Sequence, residues 1–325
     1  MKRLVRIAAV GLALLGAAAP VYAQEYPSRP ITMIVPFPPA GSTDLLGRVL
    51  ADSMRKILKQ SVVVENLGGA GGTIGAAKAA KSRNDGYTFL FHNMAHASAP
   101  ALYRALPYDP VADFEPIGLV TDVPMILVAR KDFPSKDMRE LIVHLKENKG
   151  KVTFANAGIG ATSHMCGLLL TSTLQAEVTT VPYKGTGPAL NDLMGGQVDL
   201  LCDQPVSTTG AIKGGRIKPY AVANPARLKT FPALPTFAES GLADFQLAVW
   251  HGLYAPKDTP KAVVDKVQAA LEQALRDPVL VQKFAELGTE PVEASRATAA
   301  ALGAHVKAEI AKWGPILKKA GVYAD

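Results

Sequence analysis

The sequence predicts an α/β fold in two domains, each a sheet flanked by helices, and three observations carry that expectation. Short β-type runs alternate with helical patterns along most of the chain, the signature of parallel strands joined by crossover helices that cover both faces. About 300 residues remain after a secretory leader, more than one core usually organises. Two apolar runs, Ile117–Val120 with Met125–Val128 and Leu247–Tyr254, are extended, lack a helical period and break the rhythm, as two hinge strands crossing between domains would.

In order along the chain, the leader comes first. Lys2, Arg3 and Arg6 precede an apolar run from Ile7 to Ala19 and the small-residue site Val21-Tyr22-Ala23, the layout of a cleavable signal. The run is about 13 residues, whereas a membrane-spanning helix needs roughly 20. Residues 1–23 are therefore read as a signal peptide, Gln24 as the first mature residue and the periplasm as the destination. Removing the leader takes three of the seven net positive charges and no acid, leaving 7 − 3 = +4. Lys and Arg are scattered among acids, as in Lys146-Glu147 and Lys307-Ala308-Glu309, which argues against a nucleic-acid-binding stripe.

The strand-then-helix pairs follow: Ile31–Val35 and Asp44–Leu58; Val62–Val64 and Thr73–Ala80; Tyr87–Phe91 alone; Val152–Ala155 and Thr162–Leu174; Val178–Val181 and Pro188–Met194; Val198–Cys202 and Val206–Ile212. Thr259-Pro260 caps a helix whose Val263, Val264, Val267, Leu271 and Leu275 recur at helical spacing. A second amphipathic helix is expected from near Ser295 toward Trp313, both packing on the first domain's sheet. Residues 24–124 with 247–325 are assigned to one domain and 125–246 to the other. Cys166 and Cys202 are bound for an oxidising compartment, and both a bridge and two buried thiols remain open on their apolar contexts.

Two loops carry candidate chemistry. Pro36-Phe37-Pro38-Pro39-Ala40-Gly41-Ser42-Thr43-Asp44 lies between a strand and a helix, and Ala157-Gly158-Ile159-Gly160-Ala161-Thr162-Ser163-His164 repeats that design in the other domain. A helix N-terminus offers N–H donors and a partial positive charge to an anion. Two such loops facing across a cleft suit a carboxylate without an Arg.

Other motifs point away from nucleotides, metals and catalysis. The stretch Gly68-Gly69-Ala70-Gly71-Gly72-Thr73-Ile74-Gly75 lacks the Lys-Ser/Thr of a P-loop, and Ile74 stands where a dinucleotide fingerprint needs Gly. It reads as a tight loop before a helix. His92 and His96 have helical metal spacing, but Asn93 replaces the Glu of the zinc-protease motif. Ser163 and His164 are adjacent, so on a helix they point in different directions and make a poor nucleophile pair. No metal or cofactor is expected, and a secreted hydrolase is the weakest alternative.

The chain resembles the tripartite tricarboxylate transporter solute-binding receptors, also called Bug proteins. The resemblance rests on seven motifs in order: Tyr26-Pro27-Ser28-Arg29-Pro30-Ile31, Val35-Pro36-Phe37-Pro38-Pro39, Gly69-Ala70-Gly71-Gly72, Asp85-Gly86-Tyr87-Thr88, Leu106-Pro107-Tyr108-Asp109-Pro110, Val181-Pro182-Tyr183-Lys184-Gly185 and Gly195-Gly196-Gln197-Val198-Asp199. It implies a two-lobed, Venus-flytrap fold of the type II periplasmic kind and a small carboxylate held in the interdomain cleft. The implied ligand residues are Phe37, Ala40, Gly41, Ser42, Thr43 and Asp44 from the first loop. Gly158, Ile159, Gly160, Ala161, Thr162 and His164 come from the second, with Asn93 and His96 from a third cleft segment and Asp203 after a strand that ends at the cleft. Ala40 stands where the family commonly has Gly. A Cys166–Cys202 disulfide is favoured by the resemblance. A monomer is expected, delivering a mono- or dicarboxylate or an aromatic acid to membrane transporter subunits, with a ligand sensor as the alternative.

Overall fold

The structure is a computed structural model that describes residues 26–243, 245–319 and 323; the leader and the mature start at Gln24 lie outside the described residues. Among the described residues, ten strands form two five-stranded sheets. The first contains β1 (Ile31–Val35), β2 (Val62–Asn66), β3 (Thr88–Asn93), β4 (Phe114–Pro124) and β10 (Ala248–Pro256) in the order β2-β1-β3-β10-β4. The second contains β5 (Ile126–Arg130), β6 (Thr153–Asn156), β7 (Thr179–Pro182), β8 (Leu200–Asp203) and β9 (Ile217–Val222) in the order β7-β6-β8-β5-β9.

Both sheets are mixed, which corrects the expectation of purely parallel pairing. β1, β2 and β3 pair in parallel, as do β6, β7 and β8, but β10 runs antiparallel to β3 and β4, and β5 antiparallel to β8 and β9. The antiparallel strands are those next to the passage between the sheets, and strand–helix alternation carries no information about them. Only Met125 separates β4 from β5, and residues 223–247 lead back to β10. The crossings are hydrogen-bonded together: Met125 N–H donates to the Leu247 carbonyl (3.2 Å), Ala223 N–H to that of Met125 (2.7 Å) and Leu247 N–H to that of Ala223 (3.3 Å).

Helices flank each sheet. α1 (Ser42–Leu58) buries Leu46, Leu50, Met54 and Leu58, one stripe at helical spacing. It packs with α8 (Lys261–Leu275) and α9 (Pro278–Glu286) on the first lobe. Asp137 and Asp277 cap the N-termini of α4 (Met138–Glu147) and α9 with their side chains. α2 (Thr73–Ala80) and α3 (Ala95–Leu102) also belong to the first lobe. The long C-terminal helix α10 (Ala299–Lys319) starts a few residues later than expected and covers α3 and β4. The second lobe carries α4, α5 (Thr162–Leu174), α6 (Thr186–Met194) and α7 (Pro205–Lys213). Cys166 on α5 and Cys202 on β8 are fully buried and form a disulfide with a Cα–Cα distance of 6.2 Å.

Candidate functional site

Four helices bring their N-termini to one cleft between the lobes. The cavity there is narrow, about 20 Å³, and is lined by Phe37, Gly41, Ser42, Thr43 and Asn93 from the first lobe. Ala161, Thr162, Thr186, Asp203 and Gln204 face them from the second. Gly41, Ala161, Gly185 and Gln204 are the N-cap residues of α1, α5, α6 and α7, and none caps its helix with a side chain. Each terminus therefore offers backbone donors and a partial positive charge to the cleft. Two buried side-chain oxygens in the lining, Thr162 Oγ1 and Gln204 Oε1, have no partner among the described residues, so they are free to meet a ligand.

The one charged side chain in the lining is an acid. Asp203 ends β8 and is buried, with Ser42 Oγ donating to its Oδ1 across the cleft at 3.3 Å. Ser207 Oγ also donates to this carboxylate and receives a hydrogen bond from Ser42 Oγ at 2.9 Å. Burial pushes the Asp203 carboxyl up to about 6, against the pull of hydroxyl donors from Ser207, Thr186 and Ser42 and the Gln204 N–H.

A neutral network supports the first lobe's wall. Asn93 Nδ2 donates to Thr43 Oγ1 at 3.1 Å, Asn93 Oδ1 accepts the Ala95 N–H at 3.0 Å, and Thr43 Oγ1 meets His251 Nε2 at 3.3 Å. Burial lowers His251 to about 3 and His96 to about 4, so both are neutral at pH 7. His96 lies behind the cleft. It donates to the Pro110 carbonyl at 3.1 Å and packs among Tyr108, Phe114 and Tyr254.

The other residues expected at the site shape the loops. Ala40 adopts a left-handed φ of 65°, held by its N–H donating to Asp44 Oδ2 at 2.9 Å. Asp44, itself buried, also accepts from Asn66 Nδ2 at 2.8 Å and pairs with Arg48 at 2.9 Å. Gly160 N–H donates to His164 Nδ1 at 3.3 Å, and burial lowers that imidazole to about 4. Ser163 Oγ accepts the Ala157 N–H at 2.8 Å. Ser163 and His164 thus each fasten the loop rather than each other. Gly158, Ile159 and Gly160 face the other lobe beside the cavity. Sequence reasoning did not single out Thr186, Gln204 or Met125, which also line the cleft. Pro205 at the first position of α7 was the available signal for one of them.

Two lobes joined by paired crossing strands, with an anion-suited cleft between them, define a solute-binding receptor of the periplasmic type. Residues 46–322 match the Tripartite tricarboxylate transporter family receptor. The solved periplasmic binding protein BugD is 49% identical, with a TM-score of 0.89 over 92% of this chain and 99% of that one. MatC from Rhodopseudomonas palustris, solved with bound malate, is 37% identical, with a TM-score of 0.86 over 90% and 100%. The R. palustris protein Rpa4515, solved with adipate, is 33% identical, with a TM-score of 0.88 over 92% and 99%. The chain belongs to the tripartite tricarboxylate transporter receptor family, a family of solute-binding receptors and not of enzymes.

Proposed function

We propose that this protein is a periplasmic receptor that captures a small mono- or dicarboxylate between its lobes and presents it to the membrane subunits of a tripartite tricarboxylate-type transporter. The carrying observation is the convergence of four helix N-termini, without capping side chains, on one cleft. Donors aimed at one point in a low-dielectric site favour an anion even where no cation lines it. Malate in MatC and adipate in Rpa4515 support a carboxylate and leave chain length open. Residues 24–124 with 247–325 form the first lobe of this reading and 125–246 the second, in keeping with the strand membership of the two sheets. The carboxylate is held by Gly41, Ser42 and Thr43 on one side and Ala161 and Thr162 on the other, with Asn93 and Asp203 flanking it.

A thermal-shift panel of mono-, di- and tricarboxylates, amino acids and aromatic acids on the mature chain tests the reading. Ligand at 100 times its Kd stabilises the fold by about 2.7 kcal/mol. A selective hit supports the proposal. A flat panel, with mass spectrometry of the denatured protein showing no co-purified acid, would overturn it.

A further inference from the structure

Two sequence motifs lie outside the cavity lining: the Gly68–Gly72 loop of the first lobe and the Tyr183-Lys184-Gly185 segment of the second, whose Gly185 leads into α6. They meet each other's lobes. A Cβ on Gly71 would stand 2.6 Å from the Ile159 carbonyl oxygen, and one on Gly158 would stand 3.3 Å from the Gly71 nitrogen. On Gly68 it would lie 3.3 Å from the Lys184 carbonyl oxygen, and on Gly187 it would lie 3.2 Å from that of Pro39. At Gly160 a Cβ would run into Leu102 at 2.6 Å, beside the Ser98 hydroxyl, which donates to the Gly160 carbonyl at 2.9 Å. Backbone lies close against backbone on both sides of the cavity, and at Gly71 the 2.6 Å approach to the Ile159 carbonyl leaves no room for a Cβ.

We infer that these glycines form a closure seam, and that Gly71, Gly158 and Gly160 are positioning residues for ligand capture. They are not among the cavity-lining residues and set how near the two anion-binding loops come to each other. Hydrogen bonds from four helix termini fall off steeply with distance and angle, so the seam decides whether both loops can grip one small ligand. Ser98, which bonds across the seam, latches it. This inference rests on the receptor reading for its purpose, but the contact itself is testable without a ligand.

The test uses the mature chain with cysteines replacing Val63 on β2 and Thr180 on β7, both exposed. These are the edge strands farthest from the crossings, so opening moves them most. Spin labels there report the interlobe distance distribution, alone and with saturating L-malate as the probe. Gly71→Ala is compared with Gly215→Ala. Both glycines have φ of 63°, but a Cβ on Gly215 would meet nothing within 4 Å. The φ angle is thus matched, and what differs is crowding, chiefly against the Ile159 carbonyl of the other lobe at 2.6 Å, with the Tyr103 hydroxyl of its own lobe at 3.3 Å.

The short-distance population of the parent should persist in Gly215→Ala and fall about tenfold in Gly71→Ala, the response of a packed contact to one added methyl. Ser98→Ala should lower it by a few-fold, as loss of one hydrogen bond does. Equal distributions in Gly71→Ala and Gly215→Ala would overturn the inference, as would a parent with no short-distance population in either condition. A parent that closes but does not respond to malate would leave the seam standing and count against malate as the ligand.

Discussion

Replacing Asp203 with Asn should make the protein more stable at neutral pH, although it removes a hydrogen-bonded group. The Asp203 carboxyl is raised from 3.8 to about 6 by burial. That difference corresponds to about 3 kcal/mol of preference for the neutral form in the folded state. The sign follows from linkage. An acid whose folded value exceeds its unfolded value contributes stability that is fully present below pH 3.8 and is lost as pH rises through about 6. At pH 8 the carboxylate is therefore buried at a cost, and Asn keeps an acceptor for the Gln204 N–H and the hydroxyls while removing the charge. Imperfect geometry for the amide takes back part of the gain, so the net is about 1–3 kcal/mol. Urea unfolding at steps between pH 4 and pH 8 measures it. Asp203→Asn should exceed the parent at pH 8, and the gap should close toward pH 4. His164 and His251, whose lowered values make the fold lose stability as pH falls below their ordinary 6.5, act equally in both proteins and cancel in the comparison. A variant less stable than the parent at pH 8, or a gap that does not change with pH, would refute the reasoning.

Three other outcomes are expected. Ala40 holds a left-handed φ of 65°, so Ala40→Gly should raise stability by about 1 kcal/mol and the melting temperature by about 2–4 °C; no gain in a thermal melt would show that the Asp44 bond fully offsets the strain. Breaking the Cys166–Cys202 disulfide, which closes a separation of 36 residues, by a double Cys→Ser change should cost about 4 kcal/mol in urea unfolding, and a loss under 1 kcal/mol would contradict that. Asp44→Asn should lower stability by about 3 kcal/mol, because the buried carboxylate organises Ala40, Asn66 and Arg48 together, and an unchanged unfolding midpoint would remove it from that role.

Much of the scaffold was legible because hydrophobic period and turn residues are local. Ile31–Val35, Thr162–Leu174 and the helix after Thr259-Pro260 all announce themselves within a dozen residues. The antiparallel placement of β10 between β3 and β4 could not be read that way, since Ala248–Pro256 meets partners more than a hundred residues away. α4 escaped notice although Asp137 and Glu140 form a capping signal at its start. At the cleft, the loop design pointed to α1 and α5, while α6 and α7 arrive through topology. Residue roles within a loop were harder still. His164 and Asp44 carry polar groups suited to a ligand, yet His164 accepts the Gly160 N–H of its own loop and Asp44 is taken up by the Ala40 N–H, Asn66 and Arg48, and only the folded chain shows that.

The most direct test of a carboxylate held by neutral donors from both lobes is a crystal structure of the mature protein with the carboxylate that the panel selects. The account predicts carboxylate oxygens about 3 Å from backbone N–H groups at the starts of α1 and α5, with no Lys or Arg in contact. A ligand seated elsewhere, or paired with a cation, would contradict it.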